Sequence, residues 1–129
     1  MNFHDWASQT YRNQTLREAV EQQLANFNPQ KYHKAIYKAD SFLTHETVLG
    51  LVTGRLNGLG NALLVITSER VAILQNSFQK QSNLYLSKES LQQAQLSRSL
   101  LAGHQLTIGG HRLSRVPKAM AETLRAFLG

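Results

Sequence analysis

The chain has 129 residues, 42% of them apolar and 17% charged, with a formal net charge of +6 and a pI near 10.0. That length is one domain, or one domain with a small appendage, and the composition is that of a folded protein, not a disordered one. The absence of cysteine excludes disulfide frameworks, thiol catalysis, iron–sulfur clusters and Cys-based zinc sites.

The longest unbroken apolar run, Ala62 to Ile66, is five residues, too short to cross a bilayer as a helix. The first five residues lack a basic segment followed by an apolar one, so no signal peptide is expected and the expected location is cytoplasmic, with the inner membrane face as a peripheral alternative. The charge is uneven. Residues 1–46 hold five basic and five acidic side chains; residues 47–129 hold nine basic and three acidic ones, so the second part carries the whole excess. Aromatic residues concentrate in the first part. The shift predicts two units, a helical hairpin over 1–46 and a second domain over 47–129.

In the first unit, Thr15 and Glu18 have the spacing of a capping box, in which two side chains satisfy free backbone donors reciprocally. Leu16, Val20, Leu24 and Phe27 then recur at helical intervals, predicting a helix over about 15–27. Asn28-Pro29 is a stop and a new start, since asparagine caps and proline fits the first helical position. Tyr32, Ala35, Ile36, Ala39 and Leu43 form the apolar stripe of a second helix. Lys31, Lys34 and Lys38 fall on a second stripe, read as a solvated face, with a basic membrane-surface face as the alternative.

The second unit reads as seven strands and a closing helix. Residues 47–56 are rich in β-branched and aliphatic side chains and end in the turn-rich Asn57-Gly58-Leu59-Gly60-Asn61. Residues 62–67 form a continuous apolar strand, buried on both faces or strongly curved. Ser68-Glu69 turns into a strand over 71–75, and a polar loop follows over 76–81. Residues 83–88 alternate, with Leu84 and Leu86 inward and Tyr85 outward. Residues 91–98 make a weaker strand held by Ala94 and Leu96. The last two strands, 105–108 and 111–116, flank Gly109-Gly110, a two-residue turn that demands positive φ. That turn pairs Ile108 with His111 and Leu106 with Leu113. It also predicts His104 opposite Arg115 on the inner face, where the two would line a rim or a small pocket. Pro117 opens a final helix with Met120, Leu124, Phe127 and Leu128 on one face. Gly50 and Gly54 share a strand face, which permits a bulge, a bend or the close approach of another element.

The fold class is α+β, mainly β: an N-terminal helical hairpin, then a seven-stranded curved barrel or sandwich capped by a C-terminal helix. Glu46-Thr47-Val48, the block Leu63-Leu64-Val65-Ile66-Thr67-Ser68-Glu69-Arg70-Val71, and Val116-Pro117 leading into the closing helix resemble the bacterial pleckstrin-homology-like domain family over roughly residues 44–129. The resemblance implies a curved two-sheet barrel plugged at one end by the helix. It also implies a non-catalytic module that tends to self-associate, and the apolar first hairpin, the paired strand glycines and the aromatic-rich helical hairpin favour binding a protein partner or a second copy. Eukaryotic pleckstrin-homology domains hold phosphoinositide headgroups with several basic residues around the first hairpin; this sequence has only Arg55 there.

Candidate contacts to an anion, a lipid headgroup or a partner are Arg55, Arg70, Lys80, Lys88, Arg112 and Arg115. Arg70 matches the arginine of the family's Thr-x-x-Arg arrangement and is read as a structural residue that fixes the tight turn through carbonyls, Glu46 or Glu69. The candidate self-association surface is Gly50, Gly54, Leu56 and Leu59. Catalysis is not expected. Glu18 and Glu21 beside Arg17 read as a helix-surface ion-pair stripe. His4, His33, His45, His104 and His111 lack metal-ligand spacing, and no phosphate-binding loop or nucleophile elbow exists. No cofactor and no metal are expected. A small-ligand site near His104 and Arg115 is the remaining possibility of that kind. The basic second unit favours polyanions, but Tyr85 is its single outward strand aromatic, so dedicated nucleic-acid binding is not expected. The partners expected are a protein or a second copy, with anionic lipid as the alternative.

Overall fold

Short turns make the sheet. Residues 11–77 and 83–128 are described in a computed structural model. Within them, β1 (Val48–Leu56), β2 (Gly60–Thr67) and β3 (Arg70–Gln75) follow one another through connections of two or three residues, which force antiparallel neighbours. β4 (Leu84–Ser87) extends this meander, and β5 (Gln95–Ser99), β6 (Gly103–Ile108) and β7 (His111–Val116) form a second one. A single non-sequential pairing joins the two: β1 meets β7 through Arg55↔Ser114 and Leu56↔Leu113. The result is one seven-stranded antiparallel sheet in the order β4-β3-β2-β1-β7-β6-β5, with three α-helices among the described residues. The helices are α1 (Gln14–Gln22), α2 (His33–Phe42) and α3 (Lys118–Leu124). The chain is therefore α+β and mainly β.

The apolar run in β2 has a simple cause: both of its faces are covered. Leu63 and Val65 pack with Leu51, Ala72 and Leu74 against Leu16, Val20, Ala35, Ile36 and Leu43 of the N-terminal segment. Ala62, Leu64 and Ile66 point the other way, into a core with Leu106, Ile108, Leu113 and α3 residues Met120 and Leu124. A strand with two buried faces has no position for a polar alternation. The N-terminal helices thus share a core with the sheet instead of forming one of their own.

The helix starts differ from the capping-box reading. Asn13, not Thr15, caps α1: its Oδ1 accepts from the Leu16 amide at 3.0 Å and from the Thr15 hydroxyl at 2.6 Å. Thr15 lies inside the helix, and its hydroxyl accepts from the Val48 amide. The helix ends at Gln22, and residues 23–26 turn, although Leu24 and Phe27 still pack on the core. Asn28 caps a 3-10 turn, Pro29–Tyr32, as its pairing with proline predicts. Asn13 also donates from Nδ2 to the carbonyls of Leu43 and Glu46, at 2.6 and 2.8 Å. The Asp40 carboxylate accepts from the amides of Arg12 and Asn13. One buried asparagine therefore stitches α1 to the end of α2 and the entry to β1. We expect Asn13→Ala to lose about 2 kcal/mol in urea unfolding, the sum of a lost cap and unpaired buried carbonyls; a loss of a few tenths would contradict this account.

Two side-chain placements correct the sequence reading. Lys38 is 4% exposed, and its ammonium donates to the Gln75 carbonyl at 3.1 Å. Burial pushes its pKa down. It therefore leaves the stripe it was assigned to, while Lys31 remains exposed. In the final hairpin the turn pairing holds, with Ile108↔His111 and Leu106↔Leu113, and both glycines adopt positive φ, 55° and 81°. Beyond Leu106 the register shifts and His104 faces Val116, not Arg115. Arg115 is the extra residue, at φ 55°, with its amide donating to the Ala102 carbonyl. The bulge moves Val116 into the core and turns Arg115 out to solvent.

Candidate functional site

The start of β1, the end of β2 and the segment after β4 frame the candidate site. Thr67 organises it. Its hydroxyl donates to Glu46 Oε1 at 2.9 Å and accepts from the Glu69 and Arg70 amides at 3.1 and 3.0 Å, holding the β2–β3 turn closed. Arg70, the first residue of β3, completes the cluster. Its Nη2 and Nε reach the Glu46 carboxylate at 2.6 and 3.1 Å, a two-pronged contact that lysine cannot copy. Its guanidinium also stands 4.5 Å from the Tyr85 ring centroid. Burial alone would raise the Glu46 pKa, but the Arg70 and Thr67 hydrogen bonds and the Arg70 charge outweigh it and hold the carboxyl below its ordinary value. Arg70 thus fixes the turn through Glu46, one of the structural roles its position suggested.

Beside this cluster lies an apolar groove with a cavity volume of about 230 Å³. Leu49, Ile66, Leu91 and Phe127 form most of its wall, and Thr67, Lys88, Glu89 and Gln92 border it. Three separate elements and the chain's C-terminal segment converge here. Phe127 packs closely over Gly50, where a Cβ would come 3.3 Å from its ring and the ring would have to give by a small amount. Leu49 points away from the core and is half exposed. Lys88 reaches across the rim and donates to the Ser68 carbonyl at 3.2 Å.

The remaining candidate residues fall elsewhere. Arg55 is exposed and folds back on its own turn, with Nη2 donating to the Gly58 carbonyl at 3.1 Å. Arg112 lies near it on the outward face of the β1–β7 junction, where Asn57 and Arg112 exchange hydrogen bonds of 2.7 and 2.9 Å. Arg70 and Lys88 are close to each other but distant in the sheet from that pair; Lys80 lies outside the described residues. The six cations therefore do not form one patch. Gly54 and Leu56 are buried, covered by β7 and the core, so the surface proposed for self-association retains only Leu59 as an exposed apolar side chain. The His104–Arg115 rim does not form, for the bulge separates the two. Among the described residues no group of three His, Asp or Glu side chains is arranged to hold a metal ion. Among them, too, no helix is long and apolar enough to cross a membrane.

Of the groove residues, the sequence singled out only Lys88 as a candidate contact. Leu49 was visible only as one aliphatic residue in an aliphatic strand, and the partnership with Phe127 spans most of the chain. The chain matches no family model, no curated protein and no solved structure.

Proposed function

We propose that the chain is a non-catalytic, pleckstrin-homology-like interaction module, and that the groove between Leu49, Leu91 and Phe127 takes an apolar side chain of a protein partner. The groove is the observation that carries the reading. It exposes Leu49 beside a pocket bordered by one cation and one anion, which suits a neutral peptide segment better than a charged ligand. The strand order supports the architectural part: a four-stranded and a three-stranded meander share one junction, with a C-terminal helix packed on β1 and β6.

The test is a peptide-display selection with the purified chain, followed by titration of the selected peptides. The expected outcome is a set with a shared aliphatic or aromatic anchor, whose affinity falls at least about tenfold in Leu49→Asp while the melting temperature holds. Peptides that bind Leu49→Asp as tightly as the parent would sink the reading. A dimer that depends on Leu49 in sedimentation equilibrium would make the occupant a second copy.

A further inference from the structure

A second feature lies away from the groove, at the turn between β5 and β6. Leu100 and Leu101 stand there with relative exposures of 103% and 89%. Turns favour glycine, asparagine, aspartate and serine, because those residues suit turn backbones and water. Two adjacent, almost fully exposed leucines contradict that preference, and contradictions of this kind concentrate at functional positions.

The backbone beneath them is closed on itself. The Ser99 hydroxyl accepts from the Ala102 amide at 2.9 Å and from Gln105 Nε2 at 3.2 Å, and the Ala102 carbonyl accepts from the Arg115 amide at 2.9 Å. Paired backbone groups lower the cost of entering an apolar phase. The surrounding charge has one sign. No carboxylate occurs between Glu89 and Glu122, a stretch that holds Arg98, Arg112, Arg115 and Lys118. Arg98 pairs with His104 on the two strands below the tip, and the exposed Arg115 sits one hydrogen bond from Ala102. Among the described residues neither arginine forms an ion pair.

We propose that this hairpin tip is a membrane contact, in which Leu100 and Leu101 enter the boundary between headgroups and acyl chains of an anionic bilayer while Arg98 and Arg115 meet lipid phosphates. The neighbours of the two leucines decide between a lipid surface and a protein. A protein interface needs a broad, close-packed apolar patch with a polar rim. Here the flanking residues are Ser99, Ala102 and Gly103, so among the described residues the two leucines form an exposed apolar point whose chain neighbours add no large apolar side chain. A fluid interface accepts such a point, and anionic headgroups complement the cations beside it. The proposal goes beyond the peptide groove and does not rest on it.

The test is cosedimentation of the full chain with phosphatidylcholine vesicles, with and without phosphatidylserine. Phosphatidylserine is expected to strengthen binding at least about tenfold, and added salt to weaken it. Because the leucines are almost fully exposed, Leu100→Asp/Leu101→Asp should keep the parent melting temperature and still lose at least about tenfold in vesicle binding. Arg98→Gln/Arg115→Gln should reduce binding toward the level on neutral vesicles. Leu49→Asp should leave it unchanged, which separates this contact from the groove. The proposal is overturned by no binding, by equal binding to both lipids, or by undiminished binding of the leucine variant. A dimer that depends on Leu100 and Leu101, without vesicle binding, overturns it as well.

Discussion

Gly54→Ala is expected to lose about 3 kcal/mol, although alanine is ordinarily the better strand residue by about 0.5–1 kcal/mol. A Cβ built at Gly54 lies 2.6 Å from Leu113 Cγ and 2.6 Å from the Ser114 carbonyl oxygen. A side chain could rotate away from such a contact, but a strand backbone cannot without breaking its ladder. The ladder at risk is the one that unites the sheet, since β1 and β7 pair only through Arg55↔Ser114 and Leu56↔Leu113. Moving β7 outward by the required distance would weaken both pairs and open the core around Leu113 and Leu56. Gly60 supplies the control. A Cβ there meets nothing within 4 Å, so Gly60→Ala is expected to be neutral or slightly stabilising. Thermal unfolding of the two variants should separate them by roughly 10 °C. Equal melting temperatures would mean that β7 tolerates displacement and that the junction is softer than its geometry indicates.

Gly54 also marks the limit of what the amino-acid sequence discloses. Local pattern was legible: the strands around the Gly109-Gly110 turn have the predicted pairing, and the two-faced burial of β2 follows from its unbroken apolar run. The shared face of Gly50 and Gly54 left open a bulge, a bend or the close approach of another element, and the structure brings Phe127 against Gly50 and β7 against Gly54. Which elements would approach was not legible, because the contacts lie about sixty and seventy-five residues away, and turn chemistry carries no such range. Single-residue shifts defeated the rest. The bulge at Arg115 reverses the parity of everything after it, so a face assigned by alternation exchanged Arg115 for Val116. Lys38 was assigned to water by residue type, yet the Gln75 carbonyl reaches it within the helix–sheet interface. The candidate cations Lys80, Lys88 and Arg112 were chosen by charge, and charge does not specify position. The groove and the leucine tip instead depend on exposed apolar residues, which a sequence cannot distinguish from buried ones.

Arg70→Met is expected to lose about 2 kcal/mol at neutral pH and to change the sign of the pH dependence contributed by Glu46. Removing one partner of a fully buried ion pair costs about 3–5 kcal/mol, because the other charge stays behind without compensation. The Glu46 side chain is 8% exposed but that of Arg70 is 36% exposed, so solvent already weakens the pair and the smaller figure applies. In the parent chain the Glu46 carboxyl is held below its ordinary value. Its contribution is therefore present above the unfolded carboxylate pKa and is lost as pH falls through the lower folded one. Without Arg70, burial becomes the dominant influence and raises that pKa, with the Thr67 hydroxyl as the remaining side-chain donor. Protonation then relieves the variant, so acidification from neutral pH to about pH 4 should narrow the gap between variant and parent. The Tyr85 ring loses its cation in the same step, a further loss of up to about 1 kcal/mol that does not vary over this pH range. Urea unfolding at the two pH values measures both effects. Glu46→Leu/Arg70→Met should recover much of the loss at neutral pH, since an apolar pair leaves no charge uncompensated. If the gap stays constant with pH and the double variant is no better than the single one, the loss comes from the shape of the β2–β3 turn and not from the buried carboxylate.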